Sequence, residues 1–353
     1  MGGHMAGYTA MDRRDFVSGA AAALALLSVS ARPVSASAAP LARVICDNDF
    51  AGDPDGLFQL AQQVLSPSID ISLIVGSHLH EAGLLGGQST ASDGAASAQA
   101  LLRVMRQEDR FGVLAGSETA IESREEWQAS PATAAIVAEA MREDLAGTFL
   151  YCAGASLTEL ALAWLAEPRI GPRTRLIWIG GNEHPGLGYP PPNADPMEFN
   201  FGLDPVAAQV IFNESDIEIW QVPRNAYRQL IVSASELAEL AAGGPIGSYL
   251  VGKLGELHEM VERLLQRTFP RTETYIMGDS PLITLSALQT FFQTDPASSE
   301  YVLKPTPILN ADGTYNDNPA GRPMRAFTSI DTRLTLADMM AKIRAADRAL
   351  LAG

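Results

Sequence analysis

The sequence predicts an α/β protein of Rossmann-like type, with a mainly parallel central sheet and helices on both faces. Three observations predict it. Short β-branched runs alternate with amphipathic helical stretches at βαβ spacing. The candidate strands are continuous apolar runs, as strands covered on both faces are. Of the 353 residues 47% are hydrophobic and 19% charged, a composition that supports a sizeable core.

Strands are expected over residues 43–47 (RVICD), 70–75, 111–115, 148–153, 174–179 and 217–222. Helices are expected over 57–65, 91–106, 132–145, 157–165, 204–212 and 245–267, after Asp279, and over 334–351. The Pro- and Gly-rich stretch 184–196 (HPGLGYPPPNADP) could link two domains, but strand and helix patterning resumes behind it at the same period. One domain with a long functional loop is the expectation.

Residues 1–40 read differently and are expected to be a tag remnant and export signal ahead of a catalytic domain over 41–353. MGGHM is followed by a twin arginine, Arg13-Arg14, an apolar run over 17–29 and small residues around Ser35-Ala36-Ser37-Ala38 that suit cleavage. That run is too short for a bilayer of about 30 Å, and no other apolar run reaches the roughly 18 residues a span needs. The expectation is a protein without a membrane span, exported by the twin-arginine route to the periplasm or beyond. A formal charge of −16 repels nucleic-acid polymers. Two cysteines, Cys46 and Cys152, with no C-x-x-C exclude a disulfide scaffold, a zinc ribbon and a thioredoxin site. Buried free thiols are favoured over a disulfide between them.

Ligands of open parallel sheets bind at the carboxyl ends of strands. The first strand ends in Asp47-Asn48-Asp49-Phe50-Ala51-Gly52-Asp53-Pro54-Asp55-Gly56, a loop that must turn at Gly52 and carries four carboxylates in nine residues. Carboxylates about 4 Å apart repel by about 4 kcal/mol at an effective dielectric near 20, so the cluster needs protons or a cation. Carboxylate oxygens in a segment, 47–56, that itself holds no Cys or His suit a hard divalent ion, Ca²⁺, rather than zinc. One helix cap would explain one of these aspartates, not four. Asp279, taken alone, reads as an N-cap with Pro281 in the first turn. Glu198 and Asn200 lie two apart and so share one side of an extended segment; with Asn193 they suit a hydroxyl-rich ligand, whereas phosphate would call for Arg or Lys.

Together these segments resemble the inosine-uridine-preferring nucleoside hydrolase family, which carries a D-x-D-x-x-x-D-D loop, an E-F-N before a D-P-x-A-A helix and a late Asp. Here those are Asp47/Asn48/Asp49 with Asp53 and Asp55, Glu198-Phe199-Asn200 before Asp204-Pro205-Val206-Ala207-Ala208, and Asp279. Gly154 to Thr158 (GASLT) is similar to its G-P-L-T-N turn, and Gly180-Gly181 to its M-G-G. The resemblance implies Ca²⁺-dependent cleavage of a ribonucleoside N-glycosidic bond. It implies a calcium held by Asp49, Asp53 or Asp55, Asp279 and the carbonyl of Ala153. Asp49 would take the proton of the attacking water, and Asn193, Glu198 and Asn200 would hold the ribose. The chain departs from the pattern in three places: it has no adjacent D-D pair, the His before the late Asp is Gly278, and an Asn after the second strand is His78. His78, His80 and His184 lie in loops, and His78 and His184 are the candidates to face substrate. The expected partner is a small nucleoside or riboside; a homo-oligomer is compatible with the sequence but not specified by it.

Two other readings compete. A non-catalytic nucleoside or sugar binder could share the fold. A Mg²⁺-dependent haloacid-dehalogenase-type phosphohydrolase also opens with D-x-D, but Ala51 and Ile283 stand where its Thr/Val and last Asp belong, and it leaves Glu198 and Asn200 unexplained. A serine esterase built on Gly278-Asp279-Ser280 lacks a later His, and there is neither a Walker A motif nor an H-E-x-x-H.

Overall fold

The computed structural model describes residues 40–144, 148–290 and 298–353. The leader expected over 1–40 lies outside them save for Pro40, as does Leu145, the end of one expected helix. Strand β1 (Ala42–Asn48) is buried along its whole length, as its unbroken apolar sequence requires. It pairs in parallel with β2 (Ile69–Gly76) and β4 (Thr148–Ala153). With β3 (Val113–Ala115), β5 (Arg175–Ile179), β6 (Glu218–Val222), β9 (Glu300–Pro305) and β12 (Pro323–Ser329) these make an eight-stranded sheet in the order β3-β2-β1-β4-β5-β6-β12-β9. Only β9 runs antiparallel within it. Two small pairs lie apart: β7 (Ile231–Ser233) with β8 (Thr274–Ile276), and β10 (Ile308–Leu309) with β11 (Tyr315–Asn316).

The helices are α1 (Asp55–Val64), α2 (Thr90–Val104), α3 (Thr133–Ala140), α4 (Thr158–Ala166), α5 (Phe199–Leu203), α6 (Pro205–Gln209), α7 (Arg224–Tyr227), α8 (Ala234–Ala241), α9 (Pro245–Leu265), α10 (Pro281–Ser286) and α11 (Thr332–Ala352). Alternation along β1 feeds two cores. Val44 and Cys46 pack with Phe58 of α1, Leu101 of α2 and Met339 of α11. Ile45 packs on the other face with Ile136 of α3, Leu160 of α4 and Ile211 just after α6. Cys46 and Cys152 face each other across β1 and β4 as buried free thiols.

The fold class stands as expected, with differences of detail. The sheet does not stop at residue 222: β12 continues it in parallel and β9 closes the edge. The helix expected over 204–212 is α6 followed by a π turn over Val210–Glu214. Glu198 and Asn200 do not share an extended segment, because Glu198 caps α5 and Asn200 lies inside that helix.

Candidate active site

The alternation of β1 continues into the acidic segment and divides it. Asp47 is still strand and turns to the second core, where Ser77 and Tyr151 donate hydrogen bonds to its carboxylate. Burial, and after it the charge of Glu159, pushes Asp47 up to about 7. Asn48 points to the opposite face and Asp49 begins the loop. The chain then reverses, with the N–H of Gly52 donating to the Asp49 carbonyl at 2.6 Å. A Cβ at Gly52 would stand 3.1 Å from that carbonyl, so the turn favours glycine.

Asp53 is exposed and its Oδ1 accepts from the Tyr275 hydroxyl at 2.6 Å and the Asp55 N–H at 3.2 Å. Asp55 is buried in the first turn of α1, yet does not serve as its cap: Pro54 holds that position. Its Oδ2 instead accepts the backbone N–H of Asp279 at 3.1 Å. Nor is Asp279 a cap, correcting the reading of that residue alone. The N-cap of α10 is Ser280, without a side-chain bond, and the Asp279 carboxylate turns inward to accept from Asn48 Nδ2 at 2.9 Å. Of the two registers open for the missing carboxylate, Asp55 is therefore the one that meets Asp279.

Asp49, Asp55 and Asp279 form one buried electrostatic unit. Burial raises all three above the ordinary carboxylate range, and neighbouring carboxylates raise them further: Asp279 and Asp53 act on both Asp49 and Asp55, and Asp53 and Glu198 on Asp279, which lies at about 7. Ala153 ends β4 opposite Asp47; the next N–H, of Gly154, donates to the Asp47 carbonyl at 2.9 Å.

Glu198 caps α5, accepting from the N–H of Phe201 at 2.9 Å and of Gly181 at 2.7 Å, while its Oε1 accepts from the Tyr227 hydroxyl at 2.8 Å. Asn200 spends both amide protons on the carbonyls of Gly154 and Ile179, at 2.9 and 2.8 Å. It thereby ties the ends of β4 and β5 together.

Three candidates are not brought to the carboxylates by any bond they make. Asn193 is exposed in a left-handed turn, φ 61°. His78 is buried between Thr158 Oγ1, at 3.0 Å, and the Leu79 carbonyl. His184 is stacked on Tyr315, its ring nitrogens within 2.9 Å of Gln221 Oε1 and 3.1 Å of Lys304 Nζ. Burial, followed by the Lys304 charge, pulls His184 down to about 4, so it is neutral at pH 7.

Asn48, Tyr227 and Tyr275 also bond to the acids of the site, though the sequence motifs give them no role. The signal for Asn48 was its place between two loop aspartates. For Tyr227 it was Gly278: a Cβ there would meet the Tyr227 ring at 3.2 Å and Asp55 Oδ2 at 3.3 Å. The tyrosine thus borders the position where the resemblance leads one to expect a His.

Among the described residues no basic side chain is bonded to Asp49, Asp55 or Asp279, so the cluster is acidic and does not have the make-up of a phosphate site. The particular family follows from comparison: the chain matches the inosine-uridine preferring nucleoside hydrolase family across residues 44–342 and belongs to it. That family is one of N-glycosidases. The chain is 44% identical over 61 residues to an inosine-uridine preferring nucleoside hydrolase of Leishmania major, a stretch spanning 17% of this chain and 18% of that protein. A purine-preferring ribonucleoside hydrolase from Gardnerella vaginalis superposes with TM-score 0.64 at 15% identity, covering 87% of this chain and 99% of its own. An inosine-uridine preferring nucleoside hydrolase from Bacillus anthracis gives 0.58 at 16%, covering 86% and 99%. These likenesses establish the shared fold.

Proposed function

We propose that the protein hydrolyses the N-glycosidic bond of a ribonucleoside or related riboside with the help of Ca²⁺. The observation carrying this reading is the bond that brings Asp279 to Asp55, with Asp49 and Glu198 close enough to act on the pair electrostatically. Among the described residues no group of three Asp, Glu, His or Cys side chains is posed to hold a metal ion. The donor chemistry fits one nevertheless: all three carboxylates are buried, the charge of Asp279 raises both Asp49 and Asp55, and the donors to Asp279 and Asp55 are an amide and a backbone N–H. Such a set is stabilised by a hard cation. Asp49, Asp55 and Asp279, with the Ala153 carbonyl, would hold it, Asp53 standing at the rim. Calcium, when bound, supplies positive charge to the sugar hydroxyls and the attacking water.

The chain's own groups do the rest. Asp49, whose buried carboxylate is raised above the ordinary range, accepts the water's proton as the water oxygen bonds to C1′. The C1′–N bond breaks, the base leaves with the electron pair and takes up a proton, and the buried carboxylates stabilise the cationic ribosyl centre. Glu198 and Asn200 accept from ribose hydroxyls, with Asn193, His78 and His184 as outer candidates. Because His184 is neutral and hydrogen-bonded and Gly278 carries no side chain, solvent supplies the leaving group's proton.

Incubation of the chelator-treated and calcium-loaded protein with purine and pyrimidine ribonucleosides, following free base and reducing sugar, tests this. Calcium-dependent release of both supports it. Release insensitive to chelator removes the metal, and tight binding without turnover makes the protein a binder. Twin-arginine export to the periplasm or beyond is part of the same reading, resting on Arg13-Arg14 and the apolar run behind it; an Arg13→Lys, Arg14→Lys variant remaining unexported supports it, and unchanged export opposes it.

A further inference from the structure

Asn48 ends β1 fully buried between residues from two distant stretches of chain. Its Oδ1 accepts the Asp49 N–H at 2.9 Å, and its Nδ2 donates to Asp279 Oδ2 at 2.9 Å and to Gln59 Oε1 at 3.2 Å. Two glycines leave room for it: a Cβ on Gly154 would stand 2.4 Å from Nδ2, and one on Gly56 2.9 Å. One side chain thus bonds to both of the loop and late carboxylate residues that the proposed calcium would join, and its donor presents partial positive charge to Asp279. An amide that holds one oxygen of a ligating carboxylate fixes the direction in which the other points, as partners behind metal ligands generally do.

We propose that Asn48 is a positioning residue that sets the protein's affinity for calcium by holding Asp279 in register with Asp49. The inference rests on the calcium reading above. It is distinct from a packing role, because Leu has the same length as Asn and would fill the same space without either bond.

The test is calorimetric titration of Ca²⁺ into the chelator-treated full chain and its Asn48→Leu and Asn48→Ala variants, with the melting temperature of each metal-free protein measured alongside. Loss of a partner behind a metal ligand weakens affinity by about 10- to 100-fold, and at least tenfold weaker binding is expected in both variants. A packing role alone would lower the metal-free melting temperature and leave affinity unchanged, most clearly in Asn48→Leu. Should Leu prevent folding, Ala leaves a void rather than a clash and carries the comparison. Unchanged affinity in a folded variant overturns this inference alone. Absence of calcium binding by the unaltered protein overturns the calcium reading and this inference with it.

Discussion

The backbone N–H of Asp279 donates to Oδ2 of Asp55 at 3.1 Å, across 224 positions of the chain. The bond joins the first turn of α1 to the residue two before α10. It places a second buried acid where the strand β1 delivers the first, and the consequences can be measured separately.

Asp55 and Asp53 are expected to differ sharply although they stand two apart. Asp55→Asn removes a buried carboxylate from the cluster and should lower kcat/KM by at least about a hundredfold, a loss of about 3 kcal/mol in transition-state stabilisation. Asp53→Asn alters an exposed group bonded to Tyr275 and should cost less than about tenfold. Metal-free Asp55→Asn should also melt higher than the unaltered protein, since a like-charge repulsion is relieved. Equal losses from the two substitutions would show that both registers serve.

The metal-free protein should lose stability as pH rises. Asp279 and Asp47 both lie at about 7 in the folded chain and about 4 when unfolded. Between those values the folded state binds more protons, so their contribution is full below about pH 4 and is lost as pH climbs through about 7. His184, folded at about 4, and His78, lowered by burial, oppose them, favouring folding more as pH rises to about 6.5, but Asp49, Asp53, Asp55, Glu159 and Asp204 are raised as well. Melting temperatures in chelator should therefore fall from pH 5.5 to 7.5, and calcium should restore more at pH 7.5. A rise with pH in chelator would refute the assignment of buried, unpaired acids.

Tyr227 is expected to matter through Glu198. Tyr227→Phe leaves Glu198 Oε1 without its hydroxyl donor, which should cost about 1–3 kcal/mol of stability by chemical denaturation and raise KM more than it lowers kcat. Gly278→His should not improve turnover, since its Cβ would press on the Tyr227 ring and Asp55 Oδ2; a gain in rate would show that the ring yields and that a protonating side chain is wanted there.

His184→Gln should retain kcat within about threefold at pH 7, because a neutral, stacked imidazole bonded to Gln221 has no proton to give a departing base. Its cost should fall on stability, about 1 kcal/mol for the lost hydrogen bond. A hundredfold loss of kcat in a protein of unchanged stability would make it the leaving-group acid.

The central strands were legible because β1, β4 and β5 are almost wholly buried and mainly apolar, and β2 and β6 keep short apolar runs despite Asp70 and Gln221. β9 was not, since as an edge strand it is mostly exposed and carries Glu300 and Lys304. β12 is interrupted by Arg325, whose guanidinium lies over Trp220 and Tyr301, so a strand between two others reads as half polar. In the candidate site, spacing could not choose between Asp53 and Asp55; the start of α1 buries Asp55 against Asp279 and leaves Asp53 exposed. Glu198 and Asn200 misled for a local reason: a Glu able to cap its own following turn converts an apparently extended dyad into a helix start. Asn48 was hidden because its partner Asp279 comes from the far end of the sequence.

The central claim is that acids from these two distant stretches share one hard ion. The most direct measurement is an anomalous difference map from crystals of the full chain grown with calcium, collected at a wavelength where calcium scatters anomalously. A single peak within about 2.3–2.6 Å of carboxylate oxygens of Asp49, Asp55 and Asp279 is expected. A map with no peak there at saturating calcium, or with the ion held elsewhere and Asp279 still bonded only to Asn48 and Asp55, would contradict it.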